Sequence, residues 1–537
     1  MKSECLPFTQ IPHSSRIFTD FLSRQPQVNQ FYPRSAFFAD WFKEEASLVK
    51  YDSARREKVA AILERQNKNW GASGEVANNI ARFRSGALAL VTGQQVGLFG
   101  GPAFSIYKAL TAAKLANLAT EVGVDCVPVF WMATEDHDLA EVNHFFVPEI
   151  EGLRQVTTQA QGVPNAPVGT IVFDEEIHAV LESSASFLGE SDLLSTLRDS
   201  YRPGETFGSA FARLFARLFA DWGVILLDPS DPEFHAIAAP LFRAAIEQAD
   251  RLEEALLDRG KELEIAGYHQ QVKVTPSSSF LFAIHDSERT PVHRRENETE
   301  RFVIGKEEIS RSQLLNRIAA SPQDFNPNVL LRPVVQDYLL PTLAYAGGPA
   351  EVAYFAQAGV VYEKLLGRVT PIVPRFSATI VDSKLRGILD RFQLKLADLF
   401  EGPEAAREKL AAAALSTELQ SNFEQASVSL QKYMGAIRES LARLDKTLVD
   451  AADNAESKIR HQLETLQGRA ARAELRQSEV LTRKAAFLSN ALYPNKNLQE
   501  REIAGVYFLA RHGTQLLRDL YDSIHPECVD HQIISLG

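Results

Sequence analysis

The sequence predicts an α/β protein built on a parallel sheet, with a helical arm near its C-terminal end. Three observations carry this. Apolar runs of strand length alternate with helix-like runs from Ala87 to Phe376. Glycine-rich turns stand between a strand and a helix at two places. From Pro403 to Pro494 the chain has no internal proline and only two glycines, Gly435 and Gly468.

The first 85 residues read as helical and aromatic-rich, with "FYPRSAFFADWF" at residues 31–42. The run Ala87–Val91 reads as a strand, followed by a glycine-rich loop and a helix-like stretch beginning at Pro102. Proline suits a first helical position because its missing N–H has no partner there in any case. "CVPVFWMA" (126–133) is the next strand, which completes a βαβ unit and so implies parallel pairing. "WGVILLDPSD" (222–231) is a third buried strand, with a helix through residues 242–260 after it. Residues 150–175 and 270–304 alternate polar and apolar side chains and read as antiparallel hairpins inserted into the core. Residues 338–355 form another strand-to-helix passage, and 369–376 a final strand. These spans divide the chain into a first half-core (1–149), a continuation with inserted hairpins (150–330), a second half-core (331–385), a helical arm (386–493) and a returning tail (494–537).

In the arm, Leu430, Met434, Ile437, Leu441, Leu444 and Leu448 follow a 4-3-4-3-4 spacing, a coiled-coil seam. The seam loosens through Ala452, Ala455, Ile459, Leu463 and Leu466. One helix of that length would reach ~135 Å at 1.5 Å per residue. An antiparallel hairpin is expected instead, turning at Asp450–Ser457, as a projecting dimerisation arm.

The chain has 537 residues, of which 45% are apolar, and a net charge of −12. No dense Lys/Arg run marks a nucleic-acid surface. No stretch of ~18 apolar residues marks a membrane span, and the first residues carry no apolar signal region. Cys5, Cys126 and Cys528 are scattered and odd in number, which predicts free thiols and a cytoplasmic location.

Four features carry chemistry. The loop "VTGQQVGLFGGP" (91–102) fails the Walker and G-x-G-x-x-G patterns, yet its glycines precede a helix start, where free N–H groups and the helix dipole favour an anion. Lys108 could add charge there. Gly100-Gly101-Pro102-Ala103 recurs as Gly347-Gly348-Pro349-Ala350, so two such helix starts could share one crevice. In "WMATEDHDLAEVNH" (131–144), an apolar strand ends in Glu135, Asp136, His137 and Asp138, followed by His144. Carboxylates and an imidazole at a strand end can work as general bases or as metal ligands, and a metal-dependent hydrolase stays open on that reading. Finally, Arg332, Gln336 and Asp337 are embedded in the apolar run 330–341, and Arg375 follows "PIVP". Either arginine could grip a carboxylate. A non-catalytic coiled-coil scaffold is the other alternative, although polar insertions at strand ends argue against it.

Together, "VTGQQVGLFGGPAFSIYKAL", "ATEDHDLAEVNH", "LRPVVQDYLLPTLAYAGGPAEVAYF", "PIVPRF" and "LYPNKNLQERE" resemble the BshC family of bacillithiol-biosynthesis enzymes. The resemblance implies a Rossmann-like core akin to class I synthetases and nucleotidyltransferases. It also implies connecting-peptide insertions and a coiled coil that makes homodimers. The implied reaction joins cysteine to glucosaminyl-malate as an amide, with ATP, accompanied by magnesium, activating a carboxyl. Neither a His-x-Gly-His motif nor a Lys-Met-Ser-Lys-Ser loop is present, so the activation chemistry stays open. The family's motifs fall on Thr92, Gln94, Gln95, Gly97, Gly100, Gly101, Tyr107 and Lys108. They also fall on Glu135, Asp136, His137, Asp138, Asn143 and His144, and on Arg332, Gln336, Asp337, Gly347, Gly348 and Glu351. On that basis the Gln95–Pro102 loop cradles an anion, His137 with Asp138 deprotonates the incoming amine, and Arg332 holds a carboxylate. Asn495, Lys496 and Asn497 offer a nucleotide site near the arm.

Overall fold

The computed structural model describes residues 2–33, 41–285, 288–295, 298, 300–414, 417–477, 479–525 and 528–536. Part of the aromatic motif at 31–42, residues 34–40, lies outside the described residues.

The core is a five-stranded sheet: β1 (Leu88–Gln94), β2 (Cys126–Met132), β3 (Ile225–Leu227), β4 (Thr342–Gly347) and β5 (Ile372–Pro374). Its order is β5-β4-β1-β2-β3, and every pairing is parallel. The chain therefore builds outward from β1 through β2 to β3, then returns to the other side of β1 for β4 and β5. Between β4 and β1 the direction of building reverses, and there the crevice of a doubly wound sheet opens beyond the strands' carboxyl ends. Helices α1 (Phe104–Glu121) and α2 (Pro349–Leu366) follow β1 and β4.

Strand burial explains the continuous apolar runs. Val127, Val129 and Trp131 pack into one core while Phe130 and Met132 pack into another, so both faces of β2 are covered. The hairpins at 270–304 belong to a five-stranded antiparallel sheet completed by Phe325–Pro327. Within 150–175, only Leu153–Thr157 is a strand, paired antiparallel with His144–Pro148.

The structure corrects several expectations. Helix α1 begins at Phe104, and Pro102 instead bridges Ala504 across a C-terminal segment. Only the second Gly-Gly-Pro has proline at the helix start. The helix through 242–260 breaks at Gln248 into Pro232–Glu247 and Ala249–Ile265. Lys2–Leu6 is a strand, paired with His531–Ser535, which in turn pairs with Ala378–Val381. That pairing draws the chain ends together, and Cys5 and Cys528 form a disulfide, leaving Cys126 as the free, buried thiol. Sequence spacing could not anticipate a pair 523 residues apart.

The arm is an antiparallel hairpin of α3 (Thr417–Leu444) and α4 (Val449–Gln477). Its turn lies at Asp445–Leu448, where Asp445 accepts from the Thr447 N–H and hydroxyl, rather than at Asp450–Ser457. Arg438 crosses the hairpin to Asp453 and Glu456. Met434 and Ala452 are buried between the helices, while Ile437, Leu444, Leu448, Ile459 and Leu466 remain exposed.

Candidate active site

A cavity of about 470 Å³ opens at the switch point. Its floor is the carboxyl ends of β1, β2 and β4, through Gly93–Gln95, then Ala133, Glu135 and Asp136, and Gly348–Glu351. Neighbouring strands lie ~4.8 Å apart, so groups carried by β2 and β4 stand ~10 Å apart across β1.

The β4 side is rich in cations. Lys108, from α1, makes an ion pair with Glu351 (2.6 Å) and donates to the Gly93 carbonyl (2.7 Å) and Gln94 Oε1 (2.9 Å). Burial pushes the Lys108 ammonium down to about 8, against the pull of Glu351. Burial opposes the Glu351 charge as well, but Lys108, the Gly348 N–H and the Tyr345 hydroxyl hold its carboxyl below the ordinary range. Arg332 donates to Gln336 Oε1 (3.3 Å) and the Tyr354 hydroxyl (2.8 Å). Burial opposes its charge too, yet Tyr354, Tyr345 and Glu351 keep the guanidinium above its usual value. Arg375 is tied to Glu500 (2.6 Å), deep beneath the cavity wall. Arg501 reaches the same wall beside the Phe104 ring. Among the described residues, Arg332 and Arg501 have no carboxylate within ion-pair distance.

The β2 side is rich in carboxylates. Glu135 Oε1 lies 2.8 Å from His235 Nε2. Gln95 donates to both Asp136 (2.7 Å) and Glu141 (2.9 Å), which bridges the two acids. Arg289, from the inserted sheet, sits 3.8 Å from Asp136 and over the Phe282 ring.

Several expected site residues serve the fold instead. Thr92 ties β1 to β4 through the Ala346 carbonyl. Tyr107 is buried against Phe376. Gly100 and Gly101 have φ of +87° and +69°, and a Cβ on Gly100 would lie 3.2 Å from Phe215. These glycines thus permit close packing of a helix. The Ala103 N–H donates to the Ile503 carbonyl and the Gly505 N–H to the Gly101 carbonyl, so a C-terminal strap covers the first helix start. Gly97 and His144 line a smaller side cavity of about 240 Å³ with Arg501 and Ser105. Asn143 bonds His144. Gly347 packs on Ile372. Gln336 relays from Arg332 to Asp337, whose carboxyl, pushed up by burial, lines another cavity with Thr342 and Arg368.

His137 is not among the residues lining the central cavity. Its Nδ1 lies 3.1 Å from Arg289 Nη1, and a guanidinium can only donate, so the ring lone pair that a base would use is occupied. Asp138 caps the short helix Leu139–Val142 through the Glu141 N–H. Asn495 and Asn497 both donate to Glu502, a polar loop closed on itself, and Lys496 lies against Gly402. The metal-dependent hydrolase is not supported: among the described residues no three His, Cys, Asp or Glu side chains are placed to hold a metal ion.

The residues not anticipated from sequence are His235, Arg289, Arg501 and Glu500. Each stands outside the strand-end motifs, and only Arg501 and Glu500 fell within a quoted stretch, "LYPNKNLQERE". Glu500 is the deepest of them. It accepts from Arg375, Ser377 and the Ala378 N–H. Replacing Glu500 with Ala should cost roughly 3–5 kcal/mol, because it strands a buried guanidinium. Urea unfolding would measure it; an unchanged midpoint would refute the role given to the pair.

Known proteins give the family. Residues 1–376 match the family described as "Bacillithiol biosynthesis BshC, N-terminal Rossmann-like domain". Residues 378–536 match "Bacillithiol biosynthesis BshC, C-terminal coiled-coil domain". The chain is 48% identical over 535 residues to the "Putative cysteine ligase BshC" of Koribacter versatilis, covering 99% of this chain and 100% of that one. It is 36% identical over 538 residues to the protein of the same description in Solibacter usitatus, covering 99% and 100%. It is 33% identical over 534 residues to that of Salinibacter ruber, covering 97% and 96%. With a cavity at the switch point of a Rossmann-like core, a helical arm behind it and relatives matched over their whole length, the chain belongs to the bacillithiol-biosynthesis BshC family.

Proposed function

We propose that the chain is a cysteine ligase that joins the carboxyl of cysteine to the amine of glucosaminyl-malate, with ATP supplying carboxyl activation. The observation that carries this is the polarity of the cavity: unpaired guanidinia on the β4 side and carboxylates on the β2 side. Both substrates carry carboxylates and an ammonium group, so each needs both ends. In this reading Arg332 and Arg501 take the malate carboxylates. A guanidinium that already lacks an acidic partner binds a carboxylate without first breaking an ion pair.

An amide forms in water only from an activated carboxyl, and ATP when bound supplies that activation. Arg332 and Arg501 are the cavity cations outside any ion pair among the described residues that fit a polyanion, with Lys108 adding its charge from within its pair with Glu351. Magnesium belongs to this reading only as the nucleotide's counter-ion. The attacking amine must be neutral, and with its Nδ1 engaged by Arg289, His137 is not placed to take the proton. A pure scaffold is disfavoured, since charges buried around a cavity lower stability unless a ligand uses them.

The same reading places the reaction in the cytoplasm, where ATP is supplied, and pairs two copies through the arm. Among the described residues, no helix is long and apolar enough to cross a membrane. The exposed Ile437, Leu444, Leu448, Ile459 and Leu466 are the apolar surface a second copy would cover. Leu444→Glu with Leu448→Glu is expected to convert a dimer to a monomer in analytical ultracentrifugation. A wild-type monomer at tens of micromolar, or a double variant that stays dimeric, would overturn the pairing.

The reaction itself is tested by incubating the purified chain with cysteine and glucosaminyl-malate, with and without ATP, and reading product mass. The amide is expected only with ATP, and Arg332→Gln should raise KM for glucosaminyl-malate about 10- to 100-fold. Absence of the amide in all mixtures sinks the ligase reading. The pH dependence has a definite sign. Lys108 loses its proton near pH 8, so the cavity gives up a positive charge as pH rises past that value. Affinity for malate is therefore expected to fall above about pH 8, and to be flat there in Lys108→Met. Calorimetric titration would decide; affinity that rises across the same window would contradict the assignment.

A further inference from the structure

Glu135 counts among the β2-side carboxylates above but has no assigned role there, and His235 backs it from behind the cavity wall. Glu135 follows β2 and lines the cavity; His235 comes from the helix Pro232–Glu247 behind it. Both side chains are nearly buried, 10% and 5% exposed. His235 Nδ1 lies 3.2 Å from the Pro322 carbonyl, which can only accept, so that nitrogen carries a proton. Its Nε2 lies 2.8 Å from Glu135 Oε1. Oε1 is thus buried within ion-pair distance of the imidazole, and Oε2 is the atom left for the cavity.

We propose that Glu135 is the seat for the α-ammonium group of the amino-acid substrate, and that His235 is the positioning residue that presents it. The proposal rests on the ligase reading and assigns one end of cysteine to one residue. The chemistry selects which ammonium is held. A carboxylate is a far weaker base than an amine, by roughly six pKa units, so it binds an ammonium without removing its proton. That suits the amine that must stay silent, the α-amine of cysteine. Held as ammonium, it cannot attack the activated carboxyl of another cysteine. The sugar amine, which must attack, needs to lose its proton and would be badly served by such a seat.

Other charges surround the pair. Asp228 lies behind Glu135, bonded to Thr134 and Ser230, and burial pushes its carboxyl up. Arg289 stands close enough to act on both Glu135 and Asp136, and the latter shares Gln95 with Glu141. At the start of the His235 helix, Asp231 and Glu233 are paired with Arg65. Burial opposes a charge on His235, but Glu135 and the Pro322 and Pro229 carbonyls raise the imidazole above its ordinary value. With Nδ1 donating to the Pro322 carbonyl and Nε2 facing the Glu135 carboxylate, both ring nitrogens carry protons in this arrangement, and the imidazolium supplies the counter-charge behind the seat.

Calorimetric titration of the full-length chain with L-cysteine and with 3-mercaptopropionate tests this. The second probe keeps thiol and carboxyl but lacks the ammonium. Wild type is expected to bind cysteine about tenfold or more tighter than 3-mercaptopropionate. Glu135→Gln should bring the ratio near one by weakening cysteine alone, with melting temperature as the check on folding. His235→Gln keeps a donor but removes the charge. In that variant the carboxylate is no longer aimed by the ion pair, so the preference for cysteine over 3-mercaptopropionate should shrink severalfold while 3-mercaptopropionate affinity stays unchanged, a selective loss that a merely structural role would not give. Equal binding of both probes by wild type overturns the seat without needing a variant. A ratio unchanged in Glu135→Gln also overturns it and leaves the ligase reading standing. No binding of cysteine by wild type overturns both.

Discussion

The ion pair between Arg375 and Glu500 holds the working part of this molecule together. Arg375 leaves the last core strand and reaches the cavity wall; Glu500 lies 125 residues further on, after the whole helical arm. The two side chains are 3% and 1% exposed, so neither charge could be buried alone. Around Glu500 the Ser377 hydroxyl and the Ala378 N–H add two more bonds, and His531 continues the network to Thr379. Burial pushes the His531 imidazole down to about 4, so this ring works as a neutral hydrogen-bonding link. Gln499 extends the seam by exchanging bonds with the Ile380 backbone. The segment after the arm is thereby laid against the core in one register.

That register explains why the two Gly-Gly-Pro turns behave differently. Beyond Glu500, Ile503 and Gly505 bond across the first turn, whose Gly101 and Pro102 line the smaller side cavity. Gly348 and Pro349 line the central cavity. Identical four-residue signals thus end at different cavities. The same strap brings Arg501 beside Phe104, which makes the arm's return a structural requirement for the cation-rich side of the site.

The cavity sets two kinds of charge against each other. Lys108 with Glu351, Arg375 with Glu500 and His235 with Glu135 are buried pairs that are largely neutral as units. Such pairs contribute little net stability, but they fix direction: Lys108, Glu351, Arg375 and Glu135 line the cavity, while Glu500 and His235 hold their partners from behind. Among the described residues Arg332 and Arg501 have no carboxylate within ion-pair distance, though Glu351 acts on both from further off, and they add positive charge to the β4 side. A site of this kind orients molecules that are themselves charged at both ends.

The sequence alone determined the elements and their class. Continuous apolar runs ending in glycine or acid read as buried parallel strands because strands covered on both faces have no polar side to show. The 4-3-4-3-4 spacing read as a coiled coil because helical geometry repeats locally. Glycine-rich turns and acids at strand ends brought out Gln95, Glu135 and Gly348, Lys108 and Arg332 stood out as cations in apolar surroundings, and the family resemblance added Gln94 and Glu351. Only the tertiary structure decided which of these face the cavity and with whom. It occupied His137 with Arg289, gave Glu135 to His235, laid the C-terminal strap across Gly101, and joined Cys5 to Cys528. Each of those partners is at least about a hundred residues away in the chain. Hydrogen-bond periodicity is written within a few residues, whereas the desolvation of a charge and the group that compensates it depend on which distant segment packs against it.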